Sequence, residues 1–174
     1  LSYGLLGHAM LAEEKALAAE AAFRQAYLTN PNEKDWQVGL VQALLVKEDW
    51  PQAASMMQAL IDDNPGDPVM WKQQANCYIQ MGDVMRAAEN YEVLRLKGIA
   101  DEASLNTLGD IYSNQEEPLL ALGAYLSSIR LSKTVDIDRT LKSAGYLLQL
   151  EAPKESAELM ATLRSKTGDT LTKD

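Results

Sequence analysis

Residues 103–115 read ASLNTLGDIYSNQ, an amphipathic helical stretch with Gly109 at its centre. A glycine inside a helix is less favourable than alanine by about 1 kcal/mol, so it is kept where another element must approach the backbone. If that neighbour belongs to the architecture, the spacing around Gly109 must recur along the chain. It does: 102 residues earlier, Leu105, Leu108, Gly109 and Tyr112 become Tyr3, Leu6, Gly7 and Met10. The shift is three times 34, and at the two intermediate multiples the set reads Gln37, Leu40, Val41, Leu44 and then Trp71, Gln74, Ala75, Tyr78.

The downstream half of the period repeats as well. Ala19, Ala53, Ala87 and Ala121 stand 34 apart, each followed four residues later by Phe23, Met57, Tyr91 or Tyr125. Within each period a break falls at Lys47 to Asp49, Gly82-Asp83, Glu116 to Pro118 and Ala152-Pro153, with acidic residues and proline as helix-start signals. Between periods the breaks are TNPNEKD, DNPGDP, LKGIAD and SKTVDID. No other linker is visible. The expectation is an all-α chain of helix pairs, with the small residues at 7, 75, 109 and 145 on first helices and the four alanines on second helices allowing close packing.

This spacing resembles the tetratricopeptide repeat, whose signature of an aromatic, Leu-Gly and Tyr, then Ala, Phe and Pro, has a 34-residue period. The first copy is the fullest, with Tyr3, Leu6, Gly7, Ala19, Phe23, Ala26 and Pro31; the second departs at Gln37, Val41 and Leu60. A fifth copy is obtained by inserting two residues, giving Leu141, Ala144, Gly145, Leu148, Ala157 and Ala161. The resemblance implies a single right-handed α-α superhelix over residues 1–166, with repeats at about 1–33, 34–67, 68–101, 102–135 and 136–166 and a polar tail at 167–174. Stacked pairs would bury one continuous core and leave a concave groove.

Composition narrows the function. The 174 residues are 47% hydrophobic, with 25 acidic and 16 basic residues for a net charge of -9, which disfavours nucleic acid. No apolar run is long enough to cross a bilayer, so membrane insertion is not expected. With a leucine in place of an initiating methionine, the chain is expected to be processed or excised. One histidine, His8, and one cysteine, Cys77, offer no metal set, and His8 and Cys77 lie two stacking steps apart. No phosphate loop is present, and Asp62-Asp63 and Glu116-Glu117 read as helix-end carboxylates. No catalytic, cofactor or metal residue is assigned. Cys77 reads as a small buried hydrophobe, Met56, Met57, Met81 and Met85 as core filler, and Trp36, Trp50 and Trp71 as packing between repeats.

What remains is recognition of another protein. The family resemblance implies that first-helix positions line the groove, and from these the candidate contacts are Gln42, Lys72, Asn76, Gln80, Asn106, Asp110, Asn114, Arg139, Lys142 and Tyr146. Amide side chains donate and accept, which suits an extended peptide or a helix end. Lys72 and Asn76 also repeat the opening of the carboxylate clamp by which some relatives hold a peptide terminus, while its later places fall on Thr107, Arg139 and Ser143. The favoured expectation is a scaffold that binds a peptide or helix of a partner. The alternative is a self-associating module, including a homodimer through an exposed terminal repeat. The stretch LKGIADEASLNTLGDIY further resembles bacterial tetratricopeptide proteins that accompany envelope and TonB-type systems, which implies a soluble protein with the periplasm favoured over the cytoplasm.

Overall fold

Aspartate and proline set where many of the helices begin. In the computed structural model, which describes residues 2–168, the chain forms α1 (Tyr3–Ala12), α2 (Ala16–Thr29), α3 (Lys34–Val46), α4 (Trp50–Asp63), α5 (Pro68–Gln80), α6 (Val84–Leu96), α7 (Glu102–Asn114), α8 (Pro118–Leu131), α9 (Ile137–Gln149) and α10 (Pro153–Thr167). No strand occurs among the described residues. Asp67, Asp101 and Asp136 each accept a first-turn backbone N–H, at 2.8, 2.8 and 2.9 Å. Pro51, Pro68, Pro118 and Pro153 occupy the first turn of their helices, where a missing N–H removes no intrahelical bond.

Every first helix leaves through the same turn. Glu14, Glu48, Gly82, Glu116 and Glu151 all have positive φ, between 55° and 78°. The N–H of the residue after each one reaches back to the carbonyls of Met10, Leu44, Tyr78, Tyr112 and Leu147, at 2.8 to 2.9 Å. The N–H of each positive-φ residue bonds to the next carbonyl along, from Leu11, Leu45, Ile79, Ser113 and Leu148, at 3.0 to 3.1 Å. This is the double bond of a Schellman ending, and it offsets a left-handed conformation that is unfavourable for glutamate by roughly 1–2 kcal/mol.

The chain divides into two compact units after Asp83. In the first unit, the fully buried ring of Phe23 on α2 lies between α1 and α3; a Cβ at Gly7 would stand 2.8 Å from it and one at Gly39 2.3 Å. Trp36 covers Gly4, linking α3 to α1 as expected of a residue packing between repeats. Trp71 Nε1 donates to the carbonyl of Pro65 at 3.1 Å, and one period earlier Gln37 Nε2 donates to that of Pro31 at 3.0 Å. The glutamine that departs from the aromatic pattern thus keeps the donor. Cys77 is buried in this core, which pushes its thiol pKa up. Met57 is core and Met56 packs against it, but Met81 and Met85 are exposed, contrary to their expected role as filler.

In the second unit the opening glycine meets its neighbour. A Cβ at Gly109 on α7 would stand 2.3 Å from Cε1 of Tyr125 on α8, so the tyrosine ring lies directly on the α7 backbone. Around it Leu105, Leu108, Ala121, Leu147, Leu159 and Leu163 are buried.

The fifth repeat corrects the sequence alignment. Leu141, Leu148, Ala157 and Ala161 are exposed, and a Cβ at Gly145 would meet nothing within 4 Å. The buried residues are Thr140, Ser143, Ala144, Leu147, Ser156, Leu159 and Leu163. These follow Leu105, Leu108, Gly109, Tyr112, Ala121, Ala124 and Ser128 by 35 residues, a shift that the terminal turns share. One residue is inserted, not two. It falls in the α8–α9 connection, 132–136, whose five residues follow a helix of 14; α2 and α4 have the same length but four-residue connections, and α6, with five, is one residue shorter. Lys166 pins that connection: its Nζ donates to the carbonyls of Arg130 and Ser132 at 3.0 and 2.6 Å, and to that of Ile129. Helix α10 runs on through Thr167, the first residue of the expected polar tail, while residues 169–174 of that tail lie outside the described residues.

Two glycines separate the two roles. Gly109→Ala is expected to lower unfolding free energy by about 1–2 kcal/mol, overpacking outweighing the gain in helix propensity. Gly145→Ala, facing open space, is expected to raise it by about 1 kcal/mol. Urea unfolding of the two variants checks the opposite signs.

Candidate functional site

The site grows from the Tyr125–Gly109 contact. Because the ring lies on the α7 backbone at Gly109, its hydroxyl reaches the adjoining side chains of that helix and donates to Asp110 Oδ1 at 3.0 Å. Ser113 Oγ, one turn on, lies 3.1 Å from the same hydroxyl and donates to it once the phenol proton is committed to Asp110. Burial pushes the Tyr125 phenol up to about 12; the Ser113 bond opposes this, and the Asp110 carboxylate adds to it. Tyr125 is 2% exposed, so a phenolate there would be desolvated beside a carboxylate.

Asp110 is then oriented toward α9, where its Oδ2 pairs with the Arg139 guanidinium. The Arg139 backbone N–H is in turn held by the Asp136 cap at 2.9 Å. The Arg139 Nε is buried and has no hydrogen-bond partner. Between α7 and α9 opens a cleft of about 260 Å³ lined by Asp110, Ser113, Asn114, Arg139, Lys142, Ser143 and Tyr146. Lys142 has no ion-pair partner among the described residues, and Tyr146 is 51% exposed.

Five of the ten candidate contacts, Asp110, Asn114, Arg139, Lys142 and Tyr146, are gathered in this cleft. Asn106, half-buried on α7, does not line it. Gln42 on α3 and Lys72, Asn76 and Gln80 on α5 belong to the first unit; all but the half-buried Lys72 are exposed there. Of the clamp places beyond these, Arg139 is engaged by Asp110 and Ser143 is buried. The sequence marks Tyr125 only as a packing aromatic; its part in setting Asp110 depends on where its hydroxyl emerges, which no spacing reveals.

The first unit holds a larger cleft of about 500 Å³, lined by Arg24, Tyr27, Leu28, Gln37, Leu40, Ser55, Met56 and Ala59. Its only cation, Arg24, already donates to Glu20 and Gln52. The α7–α9 cleft carries more charged groups, Asp110, Arg139 and Lys142, than this one. Among the described residues no group of three or more His, Cys, Asp or Glu side chains is placed to hold a metal ion, and no helix is long and apolar enough to cross a membrane.

The paired helices, the repeated Schellman turn and the small-residue contacts define an all-α repeat fold, and comparison with known proteins agrees. The family model described as tetratricopeptide repeat matches residues 10–77. MamA of Desulfovibrio magneticus RS-1 superposes with a TM-score of 0.69 at 15% identity, over 95% of this chain and 96% of that one. A tetratricopeptide repeat protein of Parabacteroides merdae gives 0.74 at 15% identity, over 98% and 69%. The thermophilic tetratricopeptide protein TTC0263 of Thermus thermophilus gives 0.51 at 16%, over 98% and 92%. No curated protein matches the chain. The family match covers less than half of the chain, and together with the solved structures it shows a tetratricopeptide-repeat fold.

The titration of Tyr125 gives a test of the site's scaffold. A phenol with a raised folded pKa contributes stability that is complete below pH 10 and lost as pH climbs to about 12, because the unfolded chain gives up its proton first. Tyr125→Phe is expected to lower stability by about 1 kcal/mol at neutral pH. It should also remove a component of the alkaline slope of at most about 1.4 kcal/mol per pH unit. Denaturant unfolding of both proteins from neutral to alkaline pH measures the difference.

Proposed function

We propose that the protein is a non-catalytic scaffold that holds a segment of a partner protein, and that the α7–α9 cleft is an anchoring point. The observation that carries this reading is the setting of Lys142: an unpaired ammonium beside a guanidinium with an unsatisfied Nε, in a chain of net charge -9. A cation kept open in an acidic protein favours a carboxylate, since a charge-assisted hydrogen bond is about twice as strong as a neutral one. The exposed amide of Asn114 both donates and accepts, which suits a peptide backbone. Tyr146 offers a half-exposed ring for the next side chain. The fitting ligand is therefore an extended segment with an acidic side chain or chain end. On the same reading, Gln42, Lys72, Asn76, Gln80 and Asn106 are further contact residues for the partner.

A random-peptide display selection on the whole chain provides the test. Enriched peptides are expected to be acidic, and Lys142→Glu should weaken them about tenfold or more, which is about 1.4 kcal/mol or more. Lys154→Glu, on α10 and outside the cleft lining, should leave them unchanged. Peptides that ignore Lys142 would remove the cleft from the site.

A further inference from the structure

The corrected alignment of the fifth repeat exposes a surface that the proposed cleft does not use. On α9 the residues turned to α7 are Arg139, Lys142, Ser143 and Tyr146. The opposite flank carries Leu141 and Leu148, 44% and 56% exposed, on either side of Gly145, whose Cβ position is open. On α10, Ala157 and Ala161 are exposed beside them in the chain's repeat geometry. The places 35 residues earlier show what such a flank is for. Leu122 and Leu126 on α8 are buried in a unit where α10 packs on α8, and Asp110 and Ser113 on α7 face α9. In the last pair the flank has become wholly apolar at these places, and no described residue covers it.

A matching surface exists on α1. Its sequence, YGLLGHAMLA, is apolar on nearly every side, which is ordinarily the mark of a helix buried all round. Gly4 and Gly7 face inward to Trp36 and Phe23, whereas Leu5 and Leu6 are 59% and 37% exposed and Ala9 is exposed. One period later the same places are Gly39, Leu40 and Ala43, all buried on α3, which packs against the preceding α1–α2 pair. So α1 presents the leading face of a stacking contact and the α9–α10 pair presents the trailing face, each apolar and exposed among the described residues. The completed contact is seen twice within this chain, where α3 meets α1–α2 and where α9 meets α7–α8.

We propose that the occupant of the α9–α10 flank is α1 of a second copy of this chain, docked as a further repeat. Leu5, Leu6 and Ala9 of one copy lie over Gly145 between Leu141 and Leu148 of the other. The two faces are different, so the contact is head-to-tail and each added copy offers a fresh trailing face. It is independent of peptide binding in the α7–α9 cleft.

Light scattering of the whole chain over about a hundredfold range of concentration tests this, since the mass of such an assembly follows mass action. The mass is expected to rise from 19.2 kDa with concentration and to pass the dimer value without a plateau. Leu141→Glu with Leu148→Glu, and separately Leu5→Glu with Ala9→Glu, should each hold the protein at 19.2 kDa with an unchanged helical circular dichroism spectrum. Mixed in equal amounts, the two variants each retain one intact face and should form a single complex of twice that mass. A constant monomer mass for the unmodified chain overturns the proposal. So does association that either double variant leaves intact, or that the mixture fails to restore.

Discussion

The second unit depends on a tyrosine ring laid on bare backbone. Tyr125 can sit on α7 because Gly109 has no Cβ there, and everything beyond the ring follows from that closeness. The hydroxyl emerges next to Asp110 and Ser113, Asp110 is fixed toward α9, and Arg139 is held across the seam. One packing contact thus serves both the core and the polar cleft. The first unit uses the same device without the polar extension: Phe23 lies on Gly7 and Gly39, and having no hydroxyl it ends among apolar neighbours and the edge of His8, whose ring centroid is 4.9 Å away.

The architecture was legible because the period is enforced at several places at once. Second-helix alanines and the carbonyl-capping turns repeat by 34 through four copies, and the small first-helix residue in three of them, so a mismatch at one place does not hide the rest. Substitutions that keep a physical role while changing residue type are harder to read. Gln37 stands where Trp71 does one period later and donates the same hydrogen bond to a loop carbonyl, yet by residue class it looks like a failure of the pattern. Gly39 escapes the pattern for the opposite reason: it lies off the repeated small position and answers to one ring, not to the period. Lys166 carries no signal at all, since an ammonium that gathers three carbonyls looks in sequence like any surface lysine.

The cleft was half legible, and partly by a different route from the one assumed. Arg139, Lys142 and Tyr146 are groove positions on a shift of 36, whereas with the observed shift of 35 those positions fall on Asp138, Leu141 and Gly145. The three residues sit instead on the flank that α9 turns to α7, which is why they meet Asp110 and Asn114. A single residue of phase on a helix is about 100° of rotation, enough to move a side chain from one surface to another while leaving it exposed. Spacing alone therefore finds which helix carries the polar groups more securely than it finds which neighbour they face.

The five-residue connection before α9 shows how this kind of chain tolerates change. In a protein whose parts touch mainly their neighbours in sequence, a length change between two helix pairs alters the numbering downstream without altering the contacts on either side. Lys166 reaches from the newer phase back to the older one, tying the lengthened loop to the end of α8. Lengthening is thus absorbed where it occurs, and each pair is free to drift in composition behind its own loop. What resembles decay of a motif toward the carboxyl end is a preserved motif read one step out of phase.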